Sequence, residues 1–374
     1  MKICVDVRSP GQRGILSYTS SLLSTLLTVD RKNEYVIITD PKHGSWGYDG
    51  VDEVVVPSNN PLHWVAWSNT VLPELLKRRG VDVYHSFKHV TAYRLRAKKV
   101  LTSHGGGMPY LFPEFFKWYN LMYWKSSYAM AFRIYDRVIA VSHDEKRFFC
   151  EDLGYPDSKL RVTNLAASSR FRRINDIARL QQVKRAYNLP DHFILCVGAI
   201  HPQKNLEGAI NAYYRAIDQL NPKPKLVIVG ERPAYVKGPY QRMIMELIEQ
   251  LGLGPNIILP GHIGHDLPCV YNLADLLLFP TRFEGFPLVP IEAMACGLPV
   301  VSSNIGAVQE VTGDAAILVN PDNPDEIAEA VVQVLSSEKV RHSLIQKGLE
   351  RSEVFSWDRC ARETIEVYEE LVYA

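Results

Sequence analysis

Two glutamates, Glu284 and Glu292, are the residues whose type and spacing most directly suggest chemistry. Seven residues separate them in the segment TRFEGFPLVPIEAMACG, which begins at Thr281. Gly285 allows the backbone to turn and Pro287 suits the opening of a helix. The pattern therefore predicts a loop that carries Glu284 and a helix with Glu292 about one turn inside it. Because a carboxylate accepts paired hydrogen bonds from neighbouring hydroxyls, we expect one glutamate to bind a ribose and the other a transferred sugar.

The start of the same helix predicts an anion site. The backbone N–H groups of Leu288 and Val289 are expected to be free there, and with the positive end of the helix dipole they would hold a diphosphate. Lys204, in the loop AIHPQKNLEG, is predicted to lie beside a second helix start near Asn205. It would place a positive charge against a phosphate. Arg232, in a third loop, would line the same crevice.

Short apolar runs that alternate with helical stretches must position these loops. The first half contains KICVDV, EYVIITD, VDVYHSF, KKVLTSH, DRVIAVS and LRVTNL, and the second contains HFILCVG, KLVIVG, NIILPG, DLLLFP, LPVVSS and AAILVN. Strands that alternate with helices favour parallel sheets covered on both faces, and such sheets bind ligands beyond the carboxyl ends of their strands. The sequence thus predicts an α/β fold with two doubly wound domains, at 1–168 and 175–355.

Composition is consistent with this architecture and excludes other classes. A chain of 374 residues exceeds what one core usually serves, and 42 Lys and Arg against 41 Asp and Glu give no basis for nucleic-acid binding. The six cysteines lack the close spacing of zinc or redox motifs. No apolar run approaches the roughly 20 residues that span a bilayer, and the N-terminus lacks a secretory signal. We expect a cytoplasmic enzyme.

The segment 108–137 interleaves aromatic residues with Lys and Arg. This pattern is typical of helices that lie on a membrane surface, and equally of ordinary core helices. Peripheral contact with the inner face of the membrane and burial in the core are therefore both open.

The carboxylate segment, continued to GLPVV, resembles the signature of retaining glycosyltransferases of family 4 (group 1), which have the GT-B fold. The resemblance extends over nearly the whole chain. It is supported by a glycine-containing first loop (Gly11 to Gly14), by His104 after the fourth-strand region in LTSHGG, by DRVIAVS and VGAIHPQKN, and by Trp357 in a final helix.

The resemblance implies two Rossmann-like domains with a cleft between them and a C-terminal helix, 356–374, that packs back on the acceptor-side N-terminal domain. Glu292 would bind the nucleotide ribose and Glu284 the hydroxyls of the donor sugar. Lys204 would neutralise the diphosphate, Gly14 would bring backbone amides close to it, and His104 would lie near the transferred sugar or the acceptor. The donor-binding set would be completed by Gly285, Phe286, Leu288, Val289, Ile263 and Arg232.

The implied reaction is the retaining transfer of a hexose from a nucleotide-sugar, with a UDP-sugar favoured over GDP-mannose. The acceptor would be a saccharide or a lipid-linked saccharide, in cell-surface polysaccharide or glycolipid biosynthesis. No metal or other cofactor is expected, because Lys204 and the helix starts supply positive charge and the sequence has no Asp-x-Asp motif. The sequence departs from the family at Gln203 and Ala199, where Arg is common, and at Pro287, where Gly is common. Two consequences of the missing arginine are open: weaker binding of the phosphate, or compensation by Arg232 or Lys237.

Other functions were weighed against the same residues. SHGGGMP imitates the oxyanion loop of esterases, but no Gly-x-Ser-x-Gly motif occurs. A nicotinamide-dependent oxidoreductase would need Gly-x-Gly-x-x-Gly after the first strand, which is also missing. A nucleotide-sugar epimerase or a phosphorylase of the same fold is the alternative that stays open, and a fold alone does not exclude a non-enzymatic module.

Overall fold

The computed structural model describes residues 1–8, 13–42, 44–56, 61–87, 92–230 and 239–373. They form two compact units, Met1–Leu165 with Ser356–Ala374, and Ala166–Phe355. The sequence-based limits of 168 and 175 differ slightly from this division, because residues 166–175 lie with the second unit rather than in a linker.

The first unit is built on a parallel sheet whose described strands follow the order β3-β2-β1-β4-β5-β6-β7. The strands are β1 (Lys2–Asp6), β2 (Glu34–Thr39), β3 (Asp52–Val55), β4 (Val83–Ser86), β5 (Lys98–Thr102), β6 (Arg137–Ala140) and β7 (Leu160–Val162). The helices that precede the second unit are α1 (Arg13–Val29), α2 (Pro61–Thr70), α3 (Leu72–Arg78), α4 (Met108–Leu111), α5 (Trp118–Ile134) and α6 (His143–Glu151). The apolar runs named above form every strand except β3.

The second unit repeats this architecture with the strand order β10-β9-β8-β11-β12-β13, again parallel throughout the described pairs. Its strands are β8 (Phe193–Val197), β9 (Lys225–Val229), β10 (Ile257–Gly261), β11 (Leu276–Phe279), β12 (Val300–Ser303) and β13 (Ile317–Val319). Its helices are α7 (Ile177–Ala186), α8 (Leu206–Ala216), α9 (Pro239–Gln250), α10 (Leu267–Leu273), α11 (Leu288–Ala295), α12 (Gly306–Thr312), α13 (Pro324–Ser336) and α14 (Glu338–Glu353). The predicted α/β class with two doubly wound sheets is confirmed.

The last helix, α15 (Trp357–Tyr373), belongs to the first unit, where it packs against α1. Its buried face includes Cys360, Thr364 and Tyr368. The Tyr368 hydroxyl lies 2.6 Å from Nδ1 of His85 at the carboxyl end of β4, so a polar contact in the core joins the helix to the sheet.

Helix α5 is the main element of the aromatic segment 108–137, and its two ends differ. Tyr128, Ala131 and Phe132 are buried towards its C-terminal end. Trp118 and Met122, near its N-terminal end, are 77% and 63% exposed. Helix α5 thus belongs to the core in its second half and has exposed apolar side chains in its first half. In the described ranges, no helix has the length and apolar character needed to cross a bilayer.

Candidate active site

Lys204 and Glu284 meet where the second sheet reverses its strand order. The chain runs outward from β8 through β9 to β10 and returns to β11 on the other side of β8. Open α/β sheets bind ligands at such a switch point, beyond the carboxyl ends of the strands. Lys204 follows β8, Glu284 follows β11, and Lys204 Nζ lies 2.5 Å from Glu284 Oε1. Their side chains are 19% and 11% exposed, so this is a largely desolvated ion pair at the expected position of a ligand.

Asn205 fixes the loop that carries Lys204. Its backbone has φ of 51°, in the left-handed region, and its side-chain oxygen caps helix α8 by accepting from the N–H of Gly208 at 3.2 Å. Its Nδ2 donates to the carbonyls of Pro280 and Pro321, at 3.0 and 2.6 Å. One fully buried side chain therefore ties the loop after β8 to the loops after β11 and β13.

The loop that carries Glu284 is attached to the same segment through Gln203. Gln203 Nε2 donates to the carbonyl of Phe283 at 2.7 Å, and its own carbonyl accepts from the N–H of Arg282 at 2.8 Å. The Thr281 hydroxyl donates to Glu284 Oε1 at 2.9 Å. Gln203 thus helps to build this loop.

Glu292 lies in the second turn of α11, as the sequence predicts, and faces a tyrosine of the neighbouring helix α10. The Tyr271 hydroxyl donates to Glu292 Oε2 at 3.0 Å. Burial raises the pKa of Glu292 to about 7, against the opposing effects of this hydrogen bond and of the positive charge of Arg170. Glu292 is therefore a carboxylate whose ionisation is balanced near neutral pH.

The predictions for three donor-binding residues, two near the start of α11 and one after β10, need correction or refinement. The N–H of Leu288 is not free, because it donates to the carbonyl of Phe286 at 3.0 Å. The ring of Phe286 is buried and packs edge-on against Phe355, with centroids 5.7 Å apart. Ile263 is 1% exposed and part of the hydrophobic core, so only its backbone could reach a ligand. Gly285 and Val289 lie in the loop before α11 and at the start of that helix.

His104 lies in the first unit, after β5 rather than after a fourth strand. Its ring packs edge-on against Tyr18, with centroids 4.4 Å apart, and desolvation lowers its pKa to about 3. It is therefore neutral at pH 7. Nε2 of His104 is buried and has no hydrogen-bond partner in the portion of the chain that the structure describes, so the hydrogen-bonding capacity of this ring nitrogen is unused there.

The predicted site residues are thus divided between the two units. Lys204, Glu284 and Glu292 lie in the second, and His104 lies in the first together with Gly14, in the first turn of α1. Arg232, Lys237 and Gly11 lie outside the described residues.

Sequence reasoning missed residues that hold this site in place, among them Asn205 and Tyr271. It also missed Glu145, whose carboxylate binds the loop of His104. The spacing of Ser142 and Glu145, typical of a capping box at a helix start, was the one available signal.

Comparison with known proteins agrees with the fold. The model of the glycosyl transferases group 1 family matches residues 179–351, and the model of glycosyltransferase family 4 matches residues 21–165. O-antigen chain mannosyltransferase B of Escherichia coli is 27% identical over 287 residues, which cover 76% of this chain and 74% of that protein. Serotype-specific mannosyltransferase WbdA of the same species is 32% identical over 241 residues. The match covers 63% of this chain but 29% of WbdA.

A solved structure of HepE from Anabaena, in complex with UDP-glucose, superposes with a TM-score of 0.78. It is 18% identical and covers 99% of this chain and 100% of HepE. Two parallel-sheet units of this kind, with these family matches, define a glycosyltransferase with the GT-B fold. The chain belongs to the group 1 glycosyltransferases.

Proposed function

We propose that the protein is a retaining hexosyltransferase that takes its sugar from a nucleotide-sugar and needs no divalent cation. The observation that carries the proposal is the Lys204–Glu284 pair at the switch point of the second sheet. A partly buried lysine among loops at strand ends is suited to a diphosphate, and a neighbouring carboxylate is suited to sugar hydroxyls. Glu292 would bind the ribose.

The charges that develop during sugar transfer support the role proposed for Lys204. Breaking the sugar–phosphate bond leaves negative charge on the diphosphate and positive character on the sugar ring, so stabilisation of the leaving group should dominate catalysis. Lys204 supplies that charge from a fixed loop, with the start of α11 as a second positive end. In this proposal a divalent cation is unnecessary, and the departing phosphate takes the proton of the acceptor hydroxyl on the face that it leaves.

The donor sugar is proposed by analogy. The complex of HepE with UDP-glucose supports a UDP-hexose as the first candidate. The relatives named as mannosyltransferases support GDP-mannose as the second. The O-antigen function in the name of one relative supports an acceptor that is a growing cell-surface polysaccharide or a lipid-linked saccharide.

We further propose that the exposed end of α5 contacts the membrane on which a lipid-linked acceptor is carried. Trp118, Tyr119, Met122 and Tyr123 are all at least half exposed, and Lys117 and Lys125 flank them in the sequence. Aromatic side chains beside lysines suit the interface of an anionic bilayer. Such contact would bring the enzyme to the surface where its acceptor is found.

The deciding experiment measures donor binding and the product on the purified protein. Thermal unfolding is followed with UDP-glucose, UDP-galactose, GDP-mannose and ADP-glucose, because a ligand at a hundredfold its Kd adds about 2.7 kcal/mol of stability. The stabilising donor is then incubated with saccharide acceptors in EDTA, and the anomeric configuration of the product is read by NMR. An α-linked product from an α-linked donor without metal supports the proposal. Donor isomerisation without transfer, phosphorolysis, an inverted product or loss of activity in EDTA each contradicts the corresponding part of it.

A further inference from the structure

Glu145 is a buried carboxylate with four hydrogen-bond donors around it. It lies in the first turn of α6 and is 5% exposed. Its Oε1 accepts from the Ser103 hydroxyl at 2.7 Å and from the N–H groups of Gly105 at 2.9 Å and Gly106 at 2.8 Å. Its Oε2 accepts from the N–H of Val141 at 3.0 Å. Three of the four donors therefore come from the loop 103–106.

That loop has a backbone shape that other residues could hardly adopt. Gly105 has φ of 80°, in the left-handed region. A Cβ atom on Gly106 would lie 2.5 Å from Cε1 of Tyr128 and 2.7 Å from Cζ of Phe149. The two glycines allow the chain to turn tightly over the end of α6, so that its N–H groups point at one carboxylate oxygen.

His104 is the residue in this loop whose side chain is directed away from Glu145. Its ring packs on Tyr18, and its buried Nε2 lacks a partner within the described residues. Because the residues on either side of His104 are bonded to one fixed carboxylate, the imidazole has little freedom to move. A ring nitrogen held in this way is prepared to bond a substrate hydroxyl without further ordering.

We propose that Glu145 is the positioning residue of His104: it orders the loop 103–106 so that the imidazole can bond a substrate hydroxyl. The inference rests on the proposed function and on the role that the family resemblance implies for His104, near the transferred sugar or the acceptor. Glu145 itself touches no substrate.

A purely structural role in α6 does not account for these contacts. The Ser142 hydroxyl already caps this helix by accepting from the N–H of Glu145 at 3.0 Å. The contacts of Glu145 with Ser103, Gly105 and Gly106 reach about forty residues back along the chain. A carboxylate only accepts hydrogen bonds, and burying one requires donors to compensate for lost hydration. The loop of His104 provides most of those donors.

The test is a double-mutant cycle between Glu145→Gln and His104→Ala, with kcat and the donor Kd as readouts. Glutamine keeps the shape but presents an NH₂ group where a carboxylate oxygen accepts a hydrogen bond. We expect Glu145→Gln to lower kcat roughly 10- to 100-fold, the cost of a misplaced group, with the nucleotide Kd unchanged. In the His104→Ala background the same change should lower kcat by less than a factor of about two, because the residue that it positions is gone.

Ser142→Ala is the matched control, because it weakens the same helix and leaves the carboxylate in place. It should lower the midpoint of thermal unfolding, because the cap is lost, without changing kcat. Ser103→Ala, which removes one donor from the loop side, should lower kcat in the same direction as Glu145→Gln. It replaces Glu145→Gln in the cycle if that protein does not fold.

The outcomes separate this inference from the proposed function. A strong loss in His104→Ala with wild-type kcat in folded Glu145→Gln and Ser103→Ala overturns the positioning role alone. Equal losses from Glu145→Gln with and without His104 also overturn it. If His104→Ala has wild-type kcat, the role proposed for His104 fails, and this inference fails with it.

Discussion

Lys204 Nζ lies 2.5 Å from Glu284 Oε1, so each neutralises the charge of the other in the structure described here. A diphosphate at this position would compete with Glu284 for the ammonium group. In the proposed function, release of Glu284 would then free its oxygens for sugar hydroxyls, and the ion pair would be exchanged for contacts with the ligand.

Replacing Lys204 by alanine should remove stabilisation of the leaving diphosphate. We expect kcat to fall by roughly 10² to 10³, as for other groups that face charge developing in a transition state. Steady-state kinetics with the donor found by thermal shift provide the measurement. Lys223→Ala is the control, since that lysine pairs with Asp218 on the surface of the same unit and is 57% exposed. Comparable losses in both variants would argue against a specific role for Lys204.

Donor binding should weaken as the pH falls through the pKa of Glu292, which burial raises to about 7. In the proposed function the ionised carboxylate would accept from both ribose hydroxyls, whereas the protonated form loses acceptor capacity. Affinity for UDP-glucose is therefore expected to drop about tenfold between pH 8 and pH 6, measured by calorimetry. Glu292→Gln should bind weakly at both pH values. An affinity of the wild type that does not change with pH would contradict this assignment.

The raised pKa of Glu292 also makes the free energy of unfolding depend on pH. The folded protein keeps the proton on Glu292 up to about pH 7, while the unfolded chain releases it near 4.5, the ordinary pKa of a glutamate. Its contribution to the free energy of unfolding is thus present below about pH 4.5 and is lost as the pH rises towards 7. Urea unfolding without ligand should show this slope in the wild type and a weaker slope in Glu292→Gln.

Tyr271→Phe should raise the pKa of Glu292 further, because it removes the hydroxyl that stabilises the ionised carboxylate. We expect the midpoint of the pH dependence of donor binding to move upward, with near-normal affinity recovered at high pH. Tyr213→Phe is the matched control: Tyr213 is also buried in this unit, but its hydroxyl bonds to the carbonyl of Pro224. A shifted midpoint in the control, or none in Tyr271→Phe, would count against the prediction.

Asn205→Asp should separate the two tasks of Asn205. Aspartate can still cap α8, but it cannot donate to the carbonyls of Pro280 and Pro321. Those buried acceptors would face a carboxylate, and we expect a loss of about 3 kcal/mol in the free energy of unfolding, read by urea denaturation. The control is Asn323→Asp at the N-cap of α13, where the side chain accepts from the N–H groups of Asp325 and Glu326. This substitution keeps the cap and should cost less than about 1 kcal/mol.

The double variant Trp118→Ser, Met122→Ser should bind vesicles of phosphatidylglycerol and phosphatidylethanolamine about tenfold or more weakly than the wild type. The reason is that both apolar side chains are exposed on α5. Co-sedimentation measures the bound fraction. Tyr214→Ser, which removes a 49% exposed aromatic in the second unit, should have no effect. Unchanged sedimentation of the α5 variant would remove the case for membrane contact.

Sequence patterns predicted the features that depend on local periodicity and on residue types at close spacing. The buried strands are continuous apolar runs, and Glu284 and Glu292 lie in one short segment, so both were visible. Strand β3 was missed because it has four residues, none of them fully buried, at the edge of its sheet.

The contacts that hold the loops of the site in place could not be predicted from local sequence patterns, because they join distant parts of the chain. Glu145 bonds a loop about forty residues before it, and Asn205 bonds a carbonyl 116 residues after it. Leu288 shows a second reason why a sequence-based prediction fails. A helix start predicts free N–H groups, but the N–H of Leu288 donates to the carbonyl of Phe286 in a local turn.

Helix α15 comes last in the sequence but belongs to the first unit, so the first unit can complete its folding only late in synthesis. The first unit has its last strand at Leu160–Val162, but Cys360, Thr364 and Tyr368 are buried in its core. A ribosome must therefore translate the whole second unit before the N-terminal core can be completed. In the interval a nascent chain would expose the apolar face of α1 that α15 covers, which makes this surface a natural binding site for chaperones during translation.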